Sequence, residues 1–154
     1  MEKYLRLKLR GGAFRNVSQE RSAAMGKVRG KGNRTTEMRL RYALVRAGIS
    51  GWRLHVPIPG RPDFYFSEQK IAIFVDGCFW HGCPKCGHIP KVNRAFWRAK
   101  IERNQERARK WDRLLGREGV HAKHVWECEL KHAPEVFVQK LVRALKKRKQ
   151  MLNE

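Results

Sequence analysis

Past residue 34 or so, apolar positions recur at helical or strand spacing along most of the chain. Leu40, Ala43, Leu44 and Ala47 form one helical stripe, with Thr35 or Thr36 available as its cap and Gly48 as its stop. Trp52, Leu54 and Val56 alternate as a strand and run into Pro57-Ile58-Pro59-Gly60. Asp63 to Phe66 predicts a second strand, Ser67 to Lys70 a polar turn, and the apolar run Ile71 to Val75 a buried strand. Pro84 to Lys91 reads as a loop. Asn93 can cap a long helix whose stripe is Trp97, Ile101, Asn104, Ala108, Trp111 and Leu115. Asn104 interrupts that stripe, and its amide either hydrogen-bonds within the core or points at a site. Residues 120–126 predict another strand, and Pro134 opens a final helix through Val138, Leu141, Val142 and Leu145. The order helix, three strands, helix, strand, helix implies an α/β domain around a mixed sheet, without internal repeats.

Composition changes the picture at the two ends. Residues 1–33 are rich in Arg, Lys, Gly and Ser with no sustained apolar period, and read as a basic arm ordered in part by its partner. Residues 34–145 form the domain, and residues 146–154 a basic tail. At 154 residues the chain has room for one real core. Its 35 Lys and Arg against 14 Asp and Glu give a net charge of +21, which repels itself and calls for an anionic partner. Nucleic acid fits better than a membrane surface, because basic residues are spread along the chain with aromatics among them. No apolar run approaches the ~20 residues of a spanning helix, and the start Met1-Glu2-Lys3-Tyr4-Leu5-Arg6 carries no secretory apolar core. A cytoplasmic, thiol-reducing setting follows, in which four cysteines are not expected to be two disulfides.

The chemistry concentrates between Gly60 and His88. Cys83-Pro84-Lys85-Cys86-Gly87 is a pair spaced to grip a tetrahedral cation, and Cys78 and Cys128 complete a set of four soft ligands suited to structural zinc, with reduced buried thiols as the plainer reading. His81 and His88 are rival ligands. Asp63, at the start of a strand, is rigidly aimed, and the next strand ends at Val75-Asp76, so a backbone carbonyl and a second carboxylate come beside Asp63 if the strands pair suitably. Those are the hard oxygen ligands that Mg²⁺ takes. In phosphodiester hydrolysis His81 would accept a proton from the attacking water. Phe79 and Trp80 lie between Cys78 and His81, where stacking on bases or wedging between base pairs explains them better than core packing; Trp97 belongs either to that surface or to the core.

At these residues the chain resembles the very-short-patch-repair endonucleases, which nick DNA beside T:G mismatches. The resemblance runs from about Arg21 to Leu130 and rests on linked motifs: Arg21-Ser22 with Met25, Thr36-Glu37, Gly60-Arg61-Pro62-Asp63, Phe74 to Pro84 without a gap, Pro90-Lys91 with Asn93 and Phe96-Trp97, Lys100-Ile101 with Asn104, and Val125 to Leu130. It implies a restriction-endonuclease-like α/β core with a mixed sheet flanked by helices and an added zinc site. It further implies Asp63 and the Val75 carbonyl as Mg²⁺ ligands, Glu37 supporting the metal's water, Asp76 beside them, and His81 as general base. Cys78, Cys83, Cys86 and Cys128 would hold zinc. Phe79, Trp80 and Trp97 would wedge at the mismatch, Asn104 would belong to the DNA-contacting set, and Met25 would enter from the opposite side. Double-stranded DNA is the implied substrate, with a monomer acting near the prokaryotic nucleoid alongside other mismatch-repair proteins. Two departures stand out: Arg107 is followed by Ala108 where many members carry the acid that supports the histidine, leaving Glu106 and Asp112 as neighbouring acids, and Asp76 stands where some carry histidine. The alternatives are a DNA-binding module with a decayed active site, or a site-specific or homing-type nicking enzyme with another target.

Overall fold

The computed structural model of the chain describes residues 3–9, 14–26 and 36–154. Its elements are α1 (Lys3–Arg6), α2 (Gln19–Gly26), α3 (Glu37–Arg46), β1 (Trp52–Leu54), β2 (Phe64–Phe66), β3 (Ile71–Asp76), α4 (Cys78–His81), α5 (Arg94–Arg117), β4 (His121–Trp126), α6 (Glu127–His132) and α7 (Pro134–Asn153). The expected order of main elements is present, with the short helices α4 and α6 added at the ends of β3 and β4.

The sheet is mixed, in the order β1-β2-β3-β4. β1, β2 and β3 pair antiparallel, with Phe64 opposite Ile73. β4 lies parallel to β3, from Ile71 beside His121 to Asp76 beside Trp126. A parallel partner cannot follow through a tight turn, so α5 provides the crossover.

Both faces of β3 are covered, which is why its sequence is a continuous apolar run. On one face Ile71 and Ile73 join Phe64, Phe66, Leu40, Leu44, Val125, Leu130 and Leu141 under α3, α6 and α7. On the other, Ala72 packs with Leu115 and Val120, with Tyr65, Phe74 and Ala122 beside them.

Several local expectations change. Thr36 occupies the N-cap of α3 without a side-chain cap bond, and Thr35 lies outside the described residues. Asn93 stands at the N-cap of α5 with φ of 56°, its carbonyl accepting the Trp97 N–H at 3.1 Å, but its side chain makes no cap bond; its Nδ2 donates instead to the Arg15 carbonyl at 3.4 Å. That bond ties the N-terminal segment to the domain. Leu5 and Leu9, within the stretch expected to be an arm, are buried against Phe96. Each such leucine contributes about 1.5–3 kcal/mol of apolar transfer free energy. The basic stretch from Lys146 continues α7 as helix to Asn153. Among the described residues, no helix is long and apolar enough to cross a membrane.

Candidate active site

Three elements converge at the carboxyl end of β3. Asp63 leads into β2, and its Oδ2 accepts the Val75 N–H at 2.7 Å. The N–H and C=O of one strand residue face the same neighbour, so the Val75 carbonyl is turned toward Asp63 as well. Glu37, at the first turn of α3, is 6% exposed. His55, just past β1, places Nε2 3.1 Å from Glu37 Oε2. Glu37, His55 and Asp63 offer ligand atoms that all lie within 4.8 Å of one another. Burial, with smaller contributions from Glu37 and Asp76, outweighs the Val75 N–H and His55 and raises the Asp63 carboxyl to about 6. A carboxylate pair gathered this way is the arrangement that a divalent cation relieves.

Asp76 does not join that group. It ends β3 at 8% exposure, with Oδ2 2.7 Å from His124 Nδ1 and Oδ1 3.7 Å from His81 Nδ1. The other nitrogen of His124 meets Asp112 Oδ1 at 3.0 Å. For His124, burial pulls the pKa down, but the bonds to Asp76 and Asp112 prevail and raise it to about 9. His81 goes the other way: burial lowers it, with Asp76 only partly opposing and His124 and Arg107 adding to the depression. An imidazole held neutral is ready to accept a proton. These groups line a cavity of about 290 Å³ together with Arg61, Asn104, Arg107 and Ala108.

His81 is held by its backbone. It closes the four-residue helix α4, whose last carbonyls have no partner within so short a helix. Asn104 Nδ2 donates to the Trp80 carbonyl at 2.8 Å, and Gln105 Nε2 to the His81 carbonyl at 2.9 Å. The amide that interrupts the stripe of α5 is therefore buried and occupied, fixing the turn that carries the aromatics. Gly82 ends α4 with φ of +66°, and a Cβ there would stand 2.8 Å from Ile101 Cγ2.

On that turn Phe79 and Trp80 meet edge to face with centroids 5.1 Å apart, and Trp97 of α5 stands 5.2 Å from Phe79 and 6.2 Å from Trp80. All three are half-buried. Trp97 also touches Phe96 and Phe14, so it both braces the aromatic group and contributes to it. Met25 lies on α2, with its side chain outside the described residues.

The other end of α4 begins the thiol cluster. Cys78, Cys83, Cys86 and Cys128 place their sulfurs within 4.8 Å of one another. Cys83 Sγ and Cys128 Sγ are 3.7 Å apart, against roughly 3.8 Å for the edge of a tetrahedron with metal–sulfur bonds of about 2.3 Å. Backbone N–H groups of Cys86 and Lys85 and the neighbouring thiols overcome burial and lower Cys83 to about 7, easing loss of its proton. The Gly87 N–H donates to the Cys83 carbonyl at 2.7 Å, and a Cβ on Gly87 would come 2.5 Å from that oxygen. His88 stands outside the set, with its ring 5.8 Å from Phe79.

Sequence reasoning missed His55 as a site residue, and treated His124 only as part of a strand. Neither lies in a motif; His55 does carry φ of 48°, a left-handed backbone that is uncommon outside glycine.

The family described as DNA mismatch endonuclease Vsr matches residues 16–86. A type II nicking enzyme of Xanthomonas oryzae, V.XorIIP, is 38% identical over 73% of this chain and 82% of its own length. V.NmeAIP of Neisseria meningitidis is 38% identical over 75% of this chain and 83% of itself. The DNA mismatch endonuclease Vsr of Escherichia coli is 37% identical over 62% of each. On this likeness the chain belongs to the Vsr family and is a DNA endonuclease.

Proposed function

We propose that the protein nicks one DNA strand beside a T:G mismatch, acting as a monomer with catalytic Mg²⁺ and structural Zn²⁺ on a restriction-endonuclease-like core. The observation that carries this reading is the closeness of three parts: the Asp63–Val75 end of the sheet, His81, and the cluster of Phe79, Trp80 and Trp97 joined to it by α4. Asp63, the Val75 carbonyl and Glu37 would hold the cation, with His55 orienting Glu37 from 3.1 Å. A bound Mg²⁺ supplies polarisation of the scissile phosphate and neutralises its developing charge. His81, with Nδ1 toward Asp76, leaves Nε2 to take the proton of the attacking water. Arg61 and Arg107, lining the cavity, suit the phosphate. The three aromatics offer faces for stacking at an unpaired or wobbled step, which costs less to open than a matched one. The four thiols are the closed, soft set that structural zinc takes.

The deciding experiment is a nicking assay with Mg²⁺ on T:A and T:G duplexes, with Asp63→Ala alongside. Cleavage confined to T:G and abolished in the variant is expected, with binding retained and falling steeply with salt because of the +21 charge. Equal cleavage of both duplexes would assign another target, and nicking by Asp63→Ala would remove that residue from the cation site.

A further inference from the structure

His81 has no acid beside it from α5. The helix presents Ala108 to the cavity, and the nearest α5 carboxylate on that wall is Asp112, one turn further along. Asp112 reaches the imidazole of His124 and not His81, with Oδ1 3.0 Å from Nε2. The same ring meets Asp76 Oδ2 at 2.7 Å through Nδ1. Ionised carboxylates only accept hydrogen bonds, so a ring placed between two of them donates from both nitrogens. Phe74 fixes the plane of that ring by stacking at 5.1 Å, with 16° between planes. Asp76 is thus pinned by one oxygen, and the other is left facing His81 Nδ1.

We propose that Asp112 and His124 are positioning residues for the reaction, acting through Asp76 to set the ring of His81. Asp112 lies one helical turn beyond Ala108, and the imidazole of His124 spans the distance from it to Asp76. Freed of His124, the Asp76 carboxylate could turn about its side-chain bonds, and a buried acid would lose its best partner. The 3.7 Å separation between Asp76 and His81 is longer than a formed hydrogen bond. Such contacts tighten in the substrate complex, and an anchored Asp76 has one direction in which to close. The inference rests on His81 being the base.

The test is single-turnover nicking of a T:G duplex by Asp112→Asn, Asp112→Glu and His124→Gly, the last with and without added imidazole. Duplex affinity, melting temperature and the ¹⁵N resonances of the His81 ring are followed in parallel. Asp112→Asn and His124→Gly should lower the rate by about 10–100-fold, as expected when the partner of a site residue is removed. Affinity should hold, and melting should fall by no more than a few degrees. Imidazole should restore part of the His124→Gly rate, Asp112→Glu should be closer to wild type than Asp112→Asn, and the His81 Nδ1 resonance should shift. Rates within a factor of about two would overturn the proposal, as would losses that imidazole leaves unchanged and that only track melting. Should the wild type nick no duplex, the reading of His81 as base fails. The His81 resonance then still decides the positioning, with a shift in Asp112→Asn supporting it and an unmoved signal sinking it.

Discussion

The two ends of α4 face opposite kinds of chemistry. Cys78 enters a set of four sulfurs, three of them from one short stretch of chain and the fourth from the start of α6. His81 enters a cavity whose walls come from the turn before β2, from β3, β4 and α5. The first is a compact cluster of four thiols; the second is an open, charged cavity where acids, imidazoles and arginines are balanced against one another. What separates them is four residues of helix.

The sharpest way to test that division is His81→Ala. The single-turnover nicking rate should fall by about 10²–10⁴-fold, the range for loss of a general base, while bound zinc and melting temperature stay at wild-type values. A near-normal rate would take His81 out of the chemistry. Cys86→Ser should do the converse. Metal analysis should show loss of zinc, and melting should drop by roughly 5 °C or more, a few kcal/mol in a chain of this size. Unchanged metal content would return the four sulfurs to ordinary buried thiols and end the comparison.

Trp80→Ala probes the surface joining the two regions. The preference for T:G over T:A, read as the ratio of duplex affinities, should shrink by an amount equivalent to about 1–3 kcal/mol, the worth of one stacked base. An equal loss on both duplexes would make Trp80 a packing residue.

The smallest effect concerns pH. His124 is raised from 6.5 to about 9 in the folded chain. A base whose folded value is raised stabilises the fold fully below its unfolded value and ceases to do so above the folded one. The melting difference between wild type and Asp112→Asn should therefore be largest below about pH 6.5 and fade by about pH 9. A difference that stays flat from pH 6 to 10 would show that the Asp112–His124 pair does not titrate as a unit with the fold.

What was legible in the sequence follows the same division. The thiol cluster could be read by spacing, because Cys83, Cys86 and Gly87 form a local turn and only Cys128 had to be brought from afar. The buried run of β3 and the stripe of α5 were legible because periodicity reports burial directly. The histidine wall of the cavity was not. His124 gains its partners through the parallel register that sets it beside Phe74, and Asp112 reaches it from the crossover helix, so no spacing along the chain encodes the pair. His55 was hidden likewise, since its contact with Glu37 joins the end of β1 to the start of α3. The N-terminal segment misled for another reason: Leu5 and Leu9 stand at helical spacing but are too few to register as a sustained stripe, yet two leucines suffice to dock on Phe96.

The parallel pairing of β3 with β4 has a consequence for when the enzyme comes into being. β4 and the turn after it bring His124 and Cys128, completing the cavity and the thiol set in one docking event. That pairing closes over the whole of α5, a long-range contact of the kind that forms late in folding. During synthesis a chain that has emerged only through α5 holds Asp63, His81 and three thiols but lacks the strand that unites them. The cavity and the thiol set are therefore both incomplete until β4 pairs with β3, and a growing chain of this strongly cationic protein carries much of its positive charge before that pairing is made.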